Sequence, residues 1–79
     1  MLINSWQIKR DVLSEGVVLS TVRPVALAWF GEYETAISFD NQKSWEILKG
    51  YEVEEEAIKG HEEFKKMSIE ELRKIEKIG

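Results

Sequence analysis

The chain contains no cysteine and a single histidine. Disulfides and thiolate metal sites are therefore excluded, and so is a site built on several imidazoles. No cofactor is expected. There is one proline, Pro24; without an N–H it marks an edge, a bulge or the start of a strand. The five glycines stand singly, so no Gly-rich loop is available to cradle a phosphate. No apolar run approaches the roughly 18 residues that suggest a bilayer crossing. Met1-Leu2-Ile3-Asn4-Ser5-Trp6 has neither a charged leader nor a long apolar stretch and does not read as a signal peptide. A reducing cytoplasm is the expected location. Basic clusters are missing too: net charge is −4, and the longest basic pairs are Lys9-Arg10 and Lys65-Lys66. Direct nucleic-acid binding needs a phosphate-neutralising face and is not expected. An acidic chain is better suited to a basic surface, including that of a nucleic-acid-binding protein.

What is present is a globular composition, with 43% hydrophobic and 33% charged residues in 79. That length fits one domain, 1–79. A domain of this size buries only about 60% of its unfolded surface. Without disulfides or metal, good packing or self-association into a homodimer must compensate. Three Trp, three Phe and two Tyr supply much apolar area for so short a chain. The composition shifts near residue 52: 1–51 is β-rich in character, and 52–79 is dominated by Glu, Lys and Ile.

Residues 4–13 read as a first strand with Trp6, Ile8 and Val12 as its apolar points. Ser14-Glu15-Gly16 is a turn signal. Val17 to Arg23 is β-branched and predicts the second arm of a hairpin. Residues 25–30 read as extended, with helix as the alternative because Ala and Leu favour it. Gly31-Glu32 marks a turn. Tyr33, Thr35, Ile37 and Phe39 then alternate with Glu34, Ala36, Ser38 and Asp40, a period of two that predicts a strand. Asp40 to Lys43 is a turn by composition, and Trp45 to Tyr51 is its return strand. From Val53 the period becomes helical: Val53, Ala57, Ile58, His61, Phe64 and Met67 form one stripe. Glu54, Glu55 and Glu56 oppose the helix dipole at its start, and Lys65 and Lys66 suit its end. Ser68-Ile69-Glu70-Glu71 predicts a capping box opening a second helix of about ten residues, with Met67 and Leu72 as a hydrophobic staple.

Few residues suggest chemistry. His61 is the only imidazole available to activate a hydroxyl nucleophile, and no Gly-x-Ser-x-Gly elbow is present. The carboxylates gather at a helix start, where solvated, dipole-complementing charge is the ordinary reading. His61 is read as half-buried on the apolar stripe and donating to a backbone carbonyl. The competing reading makes it a polar contact or a pH-responsive group at a binding surface. Gly60, inside the helix, costs up to about 1 kcal/mol against Ala and is explained by close approach to a strand or an aromatic ring. Glu54, Glu55 and Glu62 are the candidates for an acidic partner-binding face, against the simpler reading of a solvated helix surface balanced by Lys59, Lys65 and Lys66. Trp29 and Phe30 are candidate interface anchors, with at least one expected in the core because neighbouring strand residues face opposite ways.

Three stretches carry a resemblance: Leu19-Ser20-Thr21-Val22, Tyr33-Glu34-Thr35-Ala36-Ile37-Ser38-Phe39, and Tyr51 to Glu63 around Glu55-Glu56-Ala57-Ile58-Lys59-Gly60-His61. Together they resemble a family of small proteins encoded by phages and prophages, in which Ser-Thr-Val, Phe-Glu-Thr-x-Val-Phe and Tyr-x-Thr-x-x-Glu-Ala-x-x-Gly-His follow in that order. The chain departs from the family at Arg23 to Phe30, which lacks the Asp-His loop of many relatives, and at Val53, where relatives have a capping Thr. The resemblance implies a viral or mobile-element origin and no reaction.

The expected fold is α+β: a small antiparallel β-meander of three to five strands packed against a helix and a short C-terminal helix. The inward face is expected to include Val18 or Leu19, Ile37, Phe39, Trp45, Ile47, Ala57, Phe64 and Leu72. The leading functional expectation is a non-enzymatic phage-derived binding protein that occludes or modulates a host protein, a component of host defence or of transcription. The alternative is a self-assembling accessory protein without a host target. An enzyme ranks third.

Overall fold

A computed structural model describes residues 5–24 and 32–78. Four strands form one antiparallel sheet in the order β1-β2-β3-β4, covered by a helix and a short second helix. The strands are β1 (Ser5–Ser14), β2 (Val17–Pro24), β3 (Tyr33–Ser38) and β4 (Glu46–Tyr51); the helices are α1 (Glu54–Lys65) and α2 (Ile69–Lys74). This is the α+β meander that the alternation and the later helical period predict. Trp29, Phe30 and the predicted extended segment 25–30 lie outside the described residues.

Both turns at one end of the sheet are fixed by local chemistry. Gly16 takes φ 75° between β1 and β2, a value at which glycine carries no Cβ penalty. Its carbonyl accepts from Asn41 N across the β3–β4 turn at 2.9 Å. Asn41 and Gln42 both sit at positive φ, 58° and 67°, which costs about 1–2 kcal/mol per residue. Asp40 and Ser38 offset that strain. The Asp40 carboxylate accepts from Ser38 Oγ, Ser44 N and Ser44 Oγ, and Ser38 Oγ accepts from Gln42 N. The Ser44 hydroxyl and amide hold the Asp40 carboxyl down to about 2.

The core lies between the sheet and the helices. Val17, Leu19, Ile37, Leu48 and Leu72 form its buried centre, with Leu13, Phe39, Phe64, Met67, Ile69 and Ile75 packed against it. Leu19, Ile37 and Leu72 are fully buried; each such side chain contributes about 1.5–3 kcal/mol by leaving water. One expectation is corrected here: Leu48, not Ile47 or Trp45, reaches this core. Thr35 pairs Lys49 while Ala36 pairs Ile47, so Leu48 is the extra residue of a bulge and turns inward. The opposite face of β2 and β3 is buried as well, at Val18, Val22, Glu34, Ala36 and Ser38.

Helix α1 touches all four strands. Its buried side is Ala57, Gly60 and His61, while Val53 and Ile58 are exposed; the predicted stripe was too wide by those two residues. Val53 at the N-cap offers no side-chain acceptor, as its apolar character dictates. Helix α2 opens on the predicted capping box, Glu71 N donating to Ser68 Oγ and Ser68 N donating to Glu71 Oε1. It is shorter than predicted, six residues. Ile75 turns extended, Lys77 Nζ donates to the terminal carbonyls of Leu72 and Arg73, and Ile78 N donates to Ile47 O of β4. The cation closes the helix end that the dipole makes negative.

Candidate functional site

The polar side chains of the sheet's α1-facing side meet at His61. Register brings them together: Lys9 pairs Thr21, Asp11 pairs Leu19, Thr21 pairs Thr35 and Tyr33 pairs Tyr51. These positions share the face on which α1 lies. His61 Nδ1 is 2.7 Å from Thr21 Oγ1, and its Nε2 is 2.8 Å from Asp11 Oδ2. Thr21 Oγ1 is 2.6 Å from Thr35 Oγ1, and Thr35 Oγ1 donates to Tyr51 Oη at 3.3 Å. Two ion pairs close the solvent side: Lys65 Nζ at 3.3 Å from Asp11 Oδ1, and Lys9 Nζ at 2.6 Å from Glu62 Oε2.

Gly60 completes the arrangement. A Cβ there would lie 2.6 Å from Tyr51 Cε1, so the residue before His61 must be glycine for α1 to settle on the tyrosine ring. This is the close approach to an aromatic ring that a glycine inside a helix implied. His61 itself differs from expectation. It is fully buried, not half-buried, and its partners are a hydroxyl and a carboxylate, not a backbone carbonyl. It therefore offers no surface to a partner.

The electrostatics follow from these contacts. The hydrogen bond from His61, with the Lys65 ammonium as a second contributor, holds the Asp11 carboxyl below its ordinary value despite some desolvation. The Lys9 ammonium does the same to Glu62, and Glu62 raises Lys9 in return. Burial pushes the Tyr51 phenol up, with the Thr35 hydrogen bond opposing and Glu63 adding to the rise.

Asp11, His61 and Thr21 have the connectivity of a carboxylate–imidazole–hydroxyl triad. Thr21 and His61 are both 0% exposed, however. A nucleophile needs room for a substrate carbon about 3 Å away, and Thr21 Oγ1 already has Thr35 Oγ1 there. Asp11, His61 and Glu62 also place one ligand atom each within 4.8 Å of one another. Lys9 and Lys65 supply the positive charge opposite those two carboxylates, so a divalent cation would have to displace two ammonium groups. The arrangement suits a buried structural network better than a reacting centre or a metal site.

The other predicted site residues are dispersed. Glu54 and Glu55 are exposed on the first turn of α1, and no ion pair engages them among the described residues. Glu62 is half-buried and tied to Lys9. Trp29 and Phe30 lie outside the described residues. Sequence reasoning missed Asp11, Thr21, Thr35 and Tyr51 as a set. Thr21, Thr35, Tyr51, Gly60 and His61 lie in three separate stretches of the sequence, and they converge on one point only when the strands pair and α1 docks.

A second feature lies at the far corner of the same face. Trp6 pairs Arg23, and the Arg23 guanidinium lies 5.8 Å from the centre of the Tyr33 ring. Trp6 is 67% exposed, so α1 leaves this aromatic–arginine row uncovered at its edge. No family model, curated protein or solved structure matches the chain. No helix among the described residues is long and apolar enough to cross a membrane.

Proposed function

We propose that the chain is a non-enzymatic protein-binding domain, of phage origin as the resemblance implies, that modulates a host protein by occluding it. The observation that carries this reading is Trp6. A tryptophan 67% exposed on an edge strand, in register with Arg23 and close to Tyr33, has the composition of an interface hot spot. Burying its ring in a partner would recover apolar free energy that folding leaves unused. Glu54 and Glu55 add uncompensated negative charge on α1, which favours a partner with a basic surface and speeds encounter with it. Burial of the hydroxyl and imidazole at the polar site supports binding over catalysis.

Self-assembly through sheet edges has less support. The β4 edge accepts the amide of Ile78 from the chain's own tail. The β1 edge carries two register shifts, between Gln7 and Lys9 and between Val12 and Ser14, with Lys9 and Arg10 between them. Bulges and central cations are the features that blunt an edge against pairing.

The test is capture of a stoichiometric partner from host lysate, followed by titration calorimetry with Trp6→Ala and with the Glu54→Lys/Glu55→Lys double variant. Trp6→Ala should weaken binding at least tenfold without changing the fold, and charge reversal should slow association in a salt-dependent way. A partner bound equally well by Trp6→Ala, or a stable oligomer in sedimentation with no partner, refutes the reading.

A further inference from the structure

The hydroxyl groups between His61 and Tyr51 allow only two arrangements of protons. Each hydroxyl has one proton to donate. Asp11 is held ionised by His61 and Lys65, so it only accepts, and His61 Nε2 must carry a proton. If His61 is neutral, Nδ1 is bare and accepts from Thr21; Thr21 accepts from Thr35, and Thr35 accepts from Tyr51. If His61 is charged, Nδ1 donates to Thr21, Thr21 to Thr35, and Thr35 to Tyr51. Both leave every link of the chain satisfied, and they differ in the direction of all three hydrogen bonds.

Tyr51 is also where this chain reaches solvent. It lines an open cavity of about 220 Å³ between α1 and β4, together with Lys49, Glu56, Lys59, Gly60 and Glu63. His61 is 0% exposed, so a proton from that side must pass through the hydroxyls.

We propose that Tyr51, Thr35 and Thr21 form a proton wire connecting water in the α1–β4 cavity to the buried His61. A proton delivered to Tyr51 Oη displaces the Tyr51 proton to Thr35, the Thr35 proton to Thr21, and the Thr21 proton to Nδ1. Four O–H bonds break, one in the hydronium ion of the cavity and one each in Tyr51, Thr35 and Thr21. Three O–H bonds and one N–H bond form. The hydronium becomes water, and within the protein only His61 changes its charge. Tyr51 finishes with its new proton turned to the cavity as a donor. The wire thus converts the charge of an enclosed imidazole into the hydrogen-bonding character of a cavity wall. The charged and titratable groups around it are Asp11 and Lys9 from β1, Glu56, Lys59, Glu62, Glu63 and Lys65 from α1, and Lys49 and Tyr51 from β4. Strands β2 and β3 contribute only the two hydroxyls.

The experiment is an NMR pH titration of the intact chain, following the His61 ring nitrogens and the Tyr51 Cζ carbon. In the native chain Tyr51 Cζ should shift with the same midpoint as His61. In Thr35→Val, which keeps the shape but removes the middle hydroxyl, His61 should still titrate while Tyr51 Cζ stays flat. Tyr51→Phe provides an independent arm. It removes the hydroxyl that donates to Thr35 when His61 is neutral and accepts from Thr35 when His61 is charged, so exchange of the His61 ring N–H proton with water should slow. A Tyr51 signal indifferent to His61 in the native chain, a Tyr51 response that survives Thr35→Val, or a ring-proton exchange rate unchanged by Tyr51→Phe each overturns the proposal.

Discussion

Replacing Gly60 by alanine should destabilise this protein, although the same change in an ordinary helix interior stabilises by about 1 kcal/mol. The added Cβ would lie 2.5 Å from Tyr51 Cζ and 2.6 Å from Cε1, about 1 Å inside normal carbon–carbon contact. Tyr51 is only 6% exposed, and its hydroxyl is held by Thr35, so the ring cannot turn aside freely. Either the ring tilts and breaks that bond or α1 lifts from the sheet. Overpacking of this kind costs about 1–3 kcal/mol, and the lost hydrogen bond about 0.5–1.5 kcal/mol. After the helix-propensity gain, the net loss is about 1–3 kcal/mol. That corresponds to a Tm lower by about 5–20 °C at 4–8 °C per kcal/mol. Urea denaturation of Gly60→Ala, Tyr51→Ala and the double variant measures it directly. In the Tyr51→Ala background the clash is gone, and Gly60→Ala should be neutral or stabilising. The reasoning fails if Gly60→Ala stabilises the native chain, or if its effect is the same in both backgrounds.

Leu72 is fully buried from a helix too short to hold itself together, so Leu72→Ala should cost about 2–5 kcal/mol in chemical denaturation. Ser68→Ala removes the capping-box acceptor and should cost about 1 kcal/mol, read from the same curves. Acid should also weaken the fold in a defined window. Asp40 is held at about 2 against an ordinary 3.8, so the unfolded chain takes up the proton first. Its contribution is complete above pH 3.8 and is lost as pH falls towards 2; Asp11 shifts in the same direction. Asp40→Asn should flatten the loss of stability across that window, as measured by urea denaturation at a series of pH values.

The strands and helices were legible because their signals are local. The period-two run from Tyr33, the Ser68-to-Glu71 box and the glycine inside a helix each state their geometry within a few residues. The bulge at Leu48 was not legible, because two residues of β4 stand against a single step of β3 only once the strands are paired. Without it, alternation selects Ile47 for the core. The polar site was hidden for the same reason. Thr21 and Thr35 are unremarkable strand residues until register sets them opposite each other. Asp11 reads as a solvated charge until α1 delivers His61 to it across 50 residues of chain. What the sequence did offer was a lone histidine on the apolar side of a helix, a residue that must find polar partners when buried.

The meander order has a consequence for how the domain assembles in time. Every strand pairs with its neighbour in sequence, so the sheet can grow by successive short loop closures. The contacts of His61 with Thr21 and Asp11 span 40 and 50 residues. They require the helix to arrive on a sheet that already has its register, and a longer closure carries the larger entropic penalty. The His61 network should therefore form after the main barrier. Substitutions such as Asp11→Asn should speed unfolding far more than they slow folding, raising the unfolding arm of the chevron plot and leaving the folding arm nearly in place. On this view the buried polar network acts as a latch on the lifetime of the native state.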